Sequence, residues 1–244
     1  HMHIGAGRII QSMLPRIDDA ISSGALINND ELLEILSDTK LSGGETHIAG
    51  LISDGGVHGH ARHLKTLMKV ASKKSLKVNL HLFSDGRDVE TKTSLNDLKN
   101  LISELPSNVI IATLMGRYYS MDRDNRWERT KLAYDLVCFG KGKQVLNFSE
   151  EIENSYNEKR TDEFLLPMIK IDENNNPIGI ISENDVVIFF NFRTDRGRQL
   201  TKAMTHSGFN EFKTKKENYH FVTMTKYDKS FKNVNVIFKN KDLR

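Results

Sequence analysis

His47-Ile-Ala-Gly-Leu-Ile-Ser53 is an apolar run that ends in the polar turn Asp54-Gly-Gly-Val-His-Gly-His60. A run of this kind, bounded by turn residues and followed by an amphipathic stretch over 61–72, reads as a strand buried on both faces and then a helix. The same order recurs twice. Val78–Phe83 is the next strand, with a helix near 95–105, and Val109–Leu114 is a third, with a helix near 126–139. Strand, turn and helix repeated at this spacing predict βαβ units. The expected fold class is α/β, in three layers, with a mostly parallel sheet and helices on both faces.

Outward from this unit the signals weaken. Upstream, Ile9, Ile10, Met13, Leu14, Ile17 and Ile21 keep a helical period over 8–23, with Pro15 setting a start or a kink. A second helix is predicted over 29–36, capped by Asn28 or Asn29. Downstream, 140–183 is more polar, with a short helix over 149–157. A hairpin is expected to run from Met168–Ile171 through Glu173-Asn-Asn-Asn-Pro177 to Ile178–Ile181. A strand over 186–192 and a helix over 194–205 follow, then weaker strands at 219–224 and 234–238. No linker divides the 244 residues, so one domain is expected, with His1-Met2 set aside as an expression scar.

Composition narrows the function classes. Net charge is +3, too small to argue for nucleic acid, and Tyr118-Tyr119 is the one candidate stacking pair. No apolar run reaches the ~18–20 residues that span a bilayer. The single cysteine, Cys138, excludes a disulfide framework and points to a reducing, cytoplasmic compartment. The distribution of arginine says more. Arg87, Arg117, Arg123, Arg126, Arg129, Arg193, Arg196 and Arg198 all follow apolar runs. A guanidinium is a planar fork suited to carboxylate and phosphate, so this placement predicts an anionic small-molecule site.

Four polar clusters close four of the strands: Ser53–His60, Ser84–Asp88, Gly116–Asp124 and Asn191–Arg196. Ligands of open α/β sheets bind outside the carboxyl ends of the strands. Arg193 and Arg196 are expected at a helix start, where free N–H groups add to a phosphate site. Asp88 has two readings, a carboxylate that binds hydroxyls and moves a proton or a cap for the following helix. Arg126 and Arg129, alternating with acids, read as a structural ion-pair net. His58, His60 and His63 are less well explained as a metal cluster than as one ligand-contacting histidine beside structural ones. Asp172-x-Asn174-x-Asn176 has the beginning of a calcium loop, but Pro177 stands where glycine is required, so a hairpin is the better account. Gly5-Ala-Gly7 lacks the strand and third glycine of a dinucleotide fingerprint. Cys138 reads as core, and no activated nucleophile is legible.

Taken together, Ile4-Gly-Ala-Gly-Arg8, Ser53-Asp-Gly-Gly-Val-His58, Asp85-Gly-Arg-Asp88, Gly116-Arg-Tyr-Tyr-Ser-Met-Asp-Arg-Asp124, Arg126-Trp-Glu-Arg129 and Phe189-Phe-Asn-Phe-Arg193 with Asp195-Arg196 resemble the motifs of the cofactor-independent phosphoglycerate mutases, in that family's order. Thr194 and Ser84 are small departures. The resemblance implies an isomerase of glycolysis and gluconeogenesis that interconverts 3-phosphoglycerate and 2-phosphoglycerate through a phosphoserine. It implies two domains. One is phosphatase-like, with the serine and two metal ions, usually manganese; the other, inserted into it, is a phosphotransferase domain that holds glycerate.

Residues 3–244 resemble the inserted domain. By motif, the substrate contacts would be His58, Arg87, Asp88, Arg117, Arg123, Arg193 and Arg196, with Asp88 assisting proton transfer. The family's Asn-Ser-Glu-Val-Gly-His motif and its metal-binding segments do not occur in the sequence. The expectation is therefore a chain that binds no metal itself and does not turn over alone. Its expected partners are 3- and 2-phosphoglycerate and the missing phosphatase-like domain, with no nucleic acid or membrane, and it is expected to be a monomer. A free-standing anion-binding module without chemistry would need the same arginines and is the alternative.

Overall fold

The structure is a computed structural model and describes residues 12–215 and 218–239. The motif Ile4–Arg8, with Ile9 and Ile10, lies outside the described residues. The first described helix, Met13–Ser22, carries Pro15 in its first turn, where a missing N–H breaks no helical bond. Asn29 caps the next, Asp30–Leu41, accepting from the Leu32 N–H at 2.8 Å.

The repeated units form as the apolar runs predict. β1 is Thr46–Ile52, followed by the helix Ala61–Lys74. β2 is Val78–Ser84, followed by Ser94–Ile102. β3 is Val109–Gly116, followed by a single turn, Arg117–Ser120, and the helix Trp127–Phe139. The polar middle gives β4 (Lys143–Val145), the helix Phe148–Asn157, a 3-10 turn Asp162–Phe164 and β5 (Met168–Lys170). β6 (Val186–Phe189), the helix Arg198–Thr205, β7 (His220–Thr223) and β8 (Asn235–Val236) close the described chain.

Among the described residues one sheet runs in the order β4-β5-β3-β2-β1-β6-β7-β8. Only β3 against β5 is antiparallel; the other neighbours are parallel. The chain travels from β1 outward through β2 to β3, then returns to lay β6 on the other side of β1. The carboxyl ends of β1 and β6 thus flank a topological switch point, where open α/β sheets bind ligands.

Alternation along β1 builds two cores. Ile48 and Ile52 pack with Leu64, Leu67 and Met68 on one face. Ala49 and Leu51 pack with Tyr134, Val187 and Leu200 on the other. Helices cover both faces, and Cys138 is buried in the second core.

Two expectations need correction. The helix predicted over 194–205 starts only at Arg198, with Gly197 as its cap. Arg193 and Arg196 lie in the loop and turn before it, because tertiary bonds tie the start of that loop away from a helix: Phe192 and Arg193 donate their N–H groups to the His58 carbonyl, at 2.8 and 3.3 Å. The hairpin after β5 is reduced to one antiparallel bridge, Ile171 with Pro177. Its second arm leaves the sheet, and Ile181 N–H bonds instead to the Val137 carbonyl at 3.0 Å. The Asp172 carboxylate accepts from Asn174 and Asn176 N–H, which is turn chemistry.

A chain of polar side chains crosses the sheet. Asp185 Oδ2 lies 3.0 Å from His47 Nε2, His47 Nδ1 lies 2.8 Å from His81 Nε2, and His81 Nδ1 lies 2.9 Å from Thr113 Oγ1. All are buried and partnered, as interior polar groups must be. Burial, then the neighbouring His47, pushes His81 well below the ordinary imidazole range. On the face of helix Ala61–Lys74, burial pushes His63 down to about 4, against its hydrogen bond to Asp18.

In the unfolded chain these imidazoles protonate near ~6.5. Between that value and the folded one the unfolded state binds more protons, so stability falls as pH drops through this window. Urea unfolding midpoints will therefore fall between pH 7 and pH 4.5, and His63→Gln will remove part of that fall. A midpoint that holds or rises over this range contradicts the burial of neutral histidines.

Candidate functional site

The four clusters follow β1, β2, β3 and β6, which are adjacent in the order β3-β2-β1-β6. The sheet therefore delivers them side by side. Their hub is Asp85, the residue after β2, which is almost fully buried. Its Oδ2 accepts from Ser53 Oγ–H at 2.6 Å, at the end of β1. Its Oδ1 accepts from the Arg87 and Asp88 N–H groups, at 3.2 and 3.0 Å, which shapes the turn. The same oxygen accepts from Arg117 Nη1 at 2.6 Å, at the end of β3. Burial pushes the Asp85 carboxyl up, but the hydrogen bonds from Ser53, the backbone and Arg117 outweigh it and hold it below the usual carboxylate range.

Arg117, also buried, donates from Nη1 to Asp88 Oδ2 at 2.5 Å. Asp88 is thus turned toward Arg117 and does not cap the following helix. That helix start is satisfied from elsewhere: Asp162 Oδ2 accepts from Thr93 and Ser94 N–H, at 2.7 and 2.9 Å.

His58 stands between two carboxylates. Its Nε2 is 3.8 Å from Asp88 Oδ2, and its Nδ1 is 3.6 Å from Asp195 Oδ1. Both distances exceed a hydrogen bond. His58 Nδ1 and Asp195 Oδ1 are buried without a hydrogen-bond partner among the described residues. Burial, then the charge of Arg117, pushes His58 down to about 4, so it is a neutral imidazole near pH 7. Asp195 in turn holds Arg123 Nη1 at 3.0 Å and Arg193 Nε at 3.3 Å.

Arg196 donates to the Met121 carbonyl at 2.9 Å. Burial and the positive field of Arg117, Arg123 and Arg87 pull its guanidinium below its ordinary pKa, a sign of crowded positive charge. Arg87, Arg117, Arg123, Arg126, Arg129 and Arg196 line one cleft of about 310 Å³. A larger hollow of about 670 Å³ lies beside β7 and β8, but none of the residues gathered around Asp85 reaches it.

Each predicted site residue lies at these strand ends: His58, Arg87, Asp88, Arg117, Arg123, Arg193 and Arg196. Arg126 and Arg129 form the expected ion-pair net, with Asp122 at 3.4 and 3.6 Å, and also line the cleft. Arg198 leaves the group and donates to the Tyr227 carbonyl. His60 caps its helix by accepting from Arg62 N–H at 3.2 Å, and His63 faces Asp18, so the three histidines do not converge. Among the described residues no three His, Cys, Asp or Glu side chains gather to hold a metal, so these residues do not fit a two-metal centre.

Sequence reasoning passed over Asp85 and Asp195 as site residues, although both stand inside quoted motifs. It missed Glu163, which lines the cleft and pairs with Arg87 at 3.0 Å.

Comparison with known proteins gives the family. Residues 17–229 match the family model described as BPG-independent PGAM N-terminus (iPGM_N). The 2,3-bisphosphoglycerate-independent phosphoglycerate mutase of Flavobacterium psychrophilum is 48% identical over 246 residues, covering 99% of this chain and 48% of that protein. The protein of the same name from Clostridium novyi is 44% identical over 242 residues, covering 98% of this chain and 47% of that one. A crystal structure of Leishmania mexicana phosphoglycerate mutase, at low cobalt concentration, superposes with a TM-score of 0.87 at 28% identity, over 96% of this chain and 45% of that one. The chain spans about half the length of the curated relatives it matches. With a matched segment that covers most of the chain and a shared fold, this protein belongs to the BPG-independent phosphoglycerate mutase N-terminal family.

Proposed function

We propose that residues 3–244 are the phosphotransferase domain of an isomerase, a phosphoglycerate mutase of glycolysis and gluconeogenesis. It would interconvert 3-phosphoglycerate and 2-phosphoglycerate through a phosphoserine. The observation that carries this reading is the Asp85–Arg117–Asp88 linkage, in which one buried arginine, itself part of the wall of an arginine-lined cleft, holds two carboxylates. The serine and the divalent metals, manganese by resemblance, belong to the other half of the full-length enzyme. A metal supplies charge stabilisation for a phosphoryl group in flight.

The roles follow from charge and reach. The substrate carries a carboxylate and a phosphate ester, and planar guanidinium forks hold both. Arg87, Arg117, Arg123, Arg193 and Arg196 would take them, and their positive field favours the transferring group. Transfer to the serine leaves its proton on the glycerate oxygen that loses the phosphoryl group. On the return, the other glycerate hydroxyl attacks and its proton goes back to the serine. Asp88 is the relay at the glycerate end, and neutral His58 lies beside it within 3.8 Å.

Glycerate must reorient between the two transfers without escaping, so several shallow contacts serve better than one deep grip. Closure of the other domain over the cleft would exclude water during transfer. The reading includes a cytoplasmic monomer, which takes no nucleic acid and no membrane. Among the described residues no helix is long and apolar enough to cross one.

Three outcomes are expected. This chain alone will show no mutase turnover; measurable conversion of 3- to 2-phosphoglycerate by it overturns the division of labour. Calorimetry will show weak 3-phosphoglycerate binding that Arg193→Ala and Arg87→Ala each reduce about tenfold, since a charge-assisted hydrogen bond contributes ~1.5–3 kcal/mol. Equal binding by wild type and both variants sinks the site. In the full-length enzyme, Asp88→Asn will lower kcat by ~10²–10⁴-fold, the usual span for a lost general acid–base group, with a smaller change in KM. Unchanged kcat removes Asp88 from the proton path.

A further inference from the structure

Glu163 sits on the 3-10 turn Asp162–Phe164, within the polar middle of the chain, yet it lines the arginine cleft. Its Oε1 is 3.0 Å from Arg87 Nη1, and its side chain is only 16% exposed. The Arg87 side chain is 55% exposed, so it stays accessible from solvent.

The position of Glu163 is set independently of Arg87. Asp162 is fully buried, and its carboxylate accepts from Thr93 N–H, Ser94 N–H and the Tyr156 hydroxyl. Its carbonyl accepts from Ser84 Oγ–H at 2.8 Å. Two glycines grip the next residue. A Cβ on Gly86 would stand 2.7 Å from the Glu163 nitrogen, and one on Gly116 would stand 2.2 Å from the Glu163 carbonyl oxygen. Neither distance is tolerable, so both arginine-bearing turns, Gly86-Arg87 and Gly116-Arg117, close against this backbone. The Glu163 carboxylate is therefore delivered to Arg87 by the fold and not by the flexibility of Arg87.

We propose that Glu163 is a built-in competitor for substrate. Its carboxylate takes the place of a ligand anion on Arg87 in the empty cleft, and phosphoglycerate must displace it. This rests on the phosphoglycerate reading of the site. A carboxylate tethered beside its guanidinium loses no translational freedom on pairing, so it competes at high effective concentration. It keeps Arg87 aimed into the cleft while the site is empty. It also lowers the net affinity, because each binding event breaks one ion pair to form another. For a ligand that must turn within the site between two transfers, a moderated grip is an advantage.

A purely structural Glu163 would weaken binding when altered; a competitor strengthens it. Calorimetry of this chain with 3-phosphoglycerate will show Glu163→Gln binding about two- to fivefold tighter than wild type, the range of a partly exposed ion pair. In an Arg87→Ala background Glu163→Gln will have no effect, because the competition has lost its object. Weaker or unchanged binding by Glu163→Gln, with wild-type binding still sensitive to Arg87→Ala, overturns the competitor role and leaves the site standing. Wild-type binding insensitive to Arg87→Ala but sensitive to Arg193→Ala overturns the competitor role alone; binding that is absent, or insensitive to both, overturns the phosphoglycerate reading and this inference with it. A crystal structure of the wild-type complex gives a readout without any variant. Arg87 will be paired to the ligand and parted from Glu163; a ligand bound with the 3.0 Å pair intact contradicts the proposal.

Discussion

The salt bridge between Asp85 and Arg117 is buried on both sides, and the whole site hangs from it. An ion pair taken out of water recovers its desolvation cost only with good geometry and further hydrogen bonds. Asp85 has them: Ser53 from β1, two backbone N–H groups of its own turn, and Arg117 from β3. A buried pair is weak evidence for stability. Its return here is position, because one carboxylate locks the ends of three neighbouring strands and fixes the Arg117 that holds Asp88. Removing either partner would strand the other charge in the interior, at a cost of ~3–5 kcal/mol.

The fourth strand end joins through β1 and β6. Asn191 reaches across with Oδ1 to accept from Leu51 N–H at 2.9 Å, and the His58 carbonyl accepts from Phe192 and Arg193. The loop that carries Arg193, Asp195 and Arg196 is thereby stitched to the loop that carries His58. Positive charge in excess is then distributed over fixed acids: Asp195 under Arg123 and Arg193, Asp122 under Arg126 and Arg129, Glu163 beside Arg87. Such a cleft is preorganised for an anion, since its dipoles need little rearrangement when the ligand arrives.

What was readable in the residues follows from how they are buried. β1 and β2 are buried at every position, so they stand out as apolar runs, and the glycine-bearing turns after them mark where the sheet ends. Local caps such as Asn29 were equally visible. The helix before Thr205 begins later than the sequence predicts, because the bonds that hold Arg193 and Arg196 out of it come from His58 and Met121, far away in sequence. Asp85 could be seen in its motif, but not its reach to Ser53 and Arg117. Glu163 left no local signal at all. It is 76 residues from Arg87, and only the fold joins them. Gly86 and Gly116 carried the trace, since both are glycines for lack of room against that segment.

On the proposed reading, four adjacent strand ends form one phosphoglycerate site. Backbone amide NMR of this chain, titrated with 3-phosphoglycerate, tests it most directly. Shift changes are expected only at Ser53–His58, Asp85–Asp88, Arg117–Arg123, Asp162–Phe164 and Asn191–Arg196. Changes centred instead on Lys226–Lys239, around the larger hollow by β7 and β8, would contradict it.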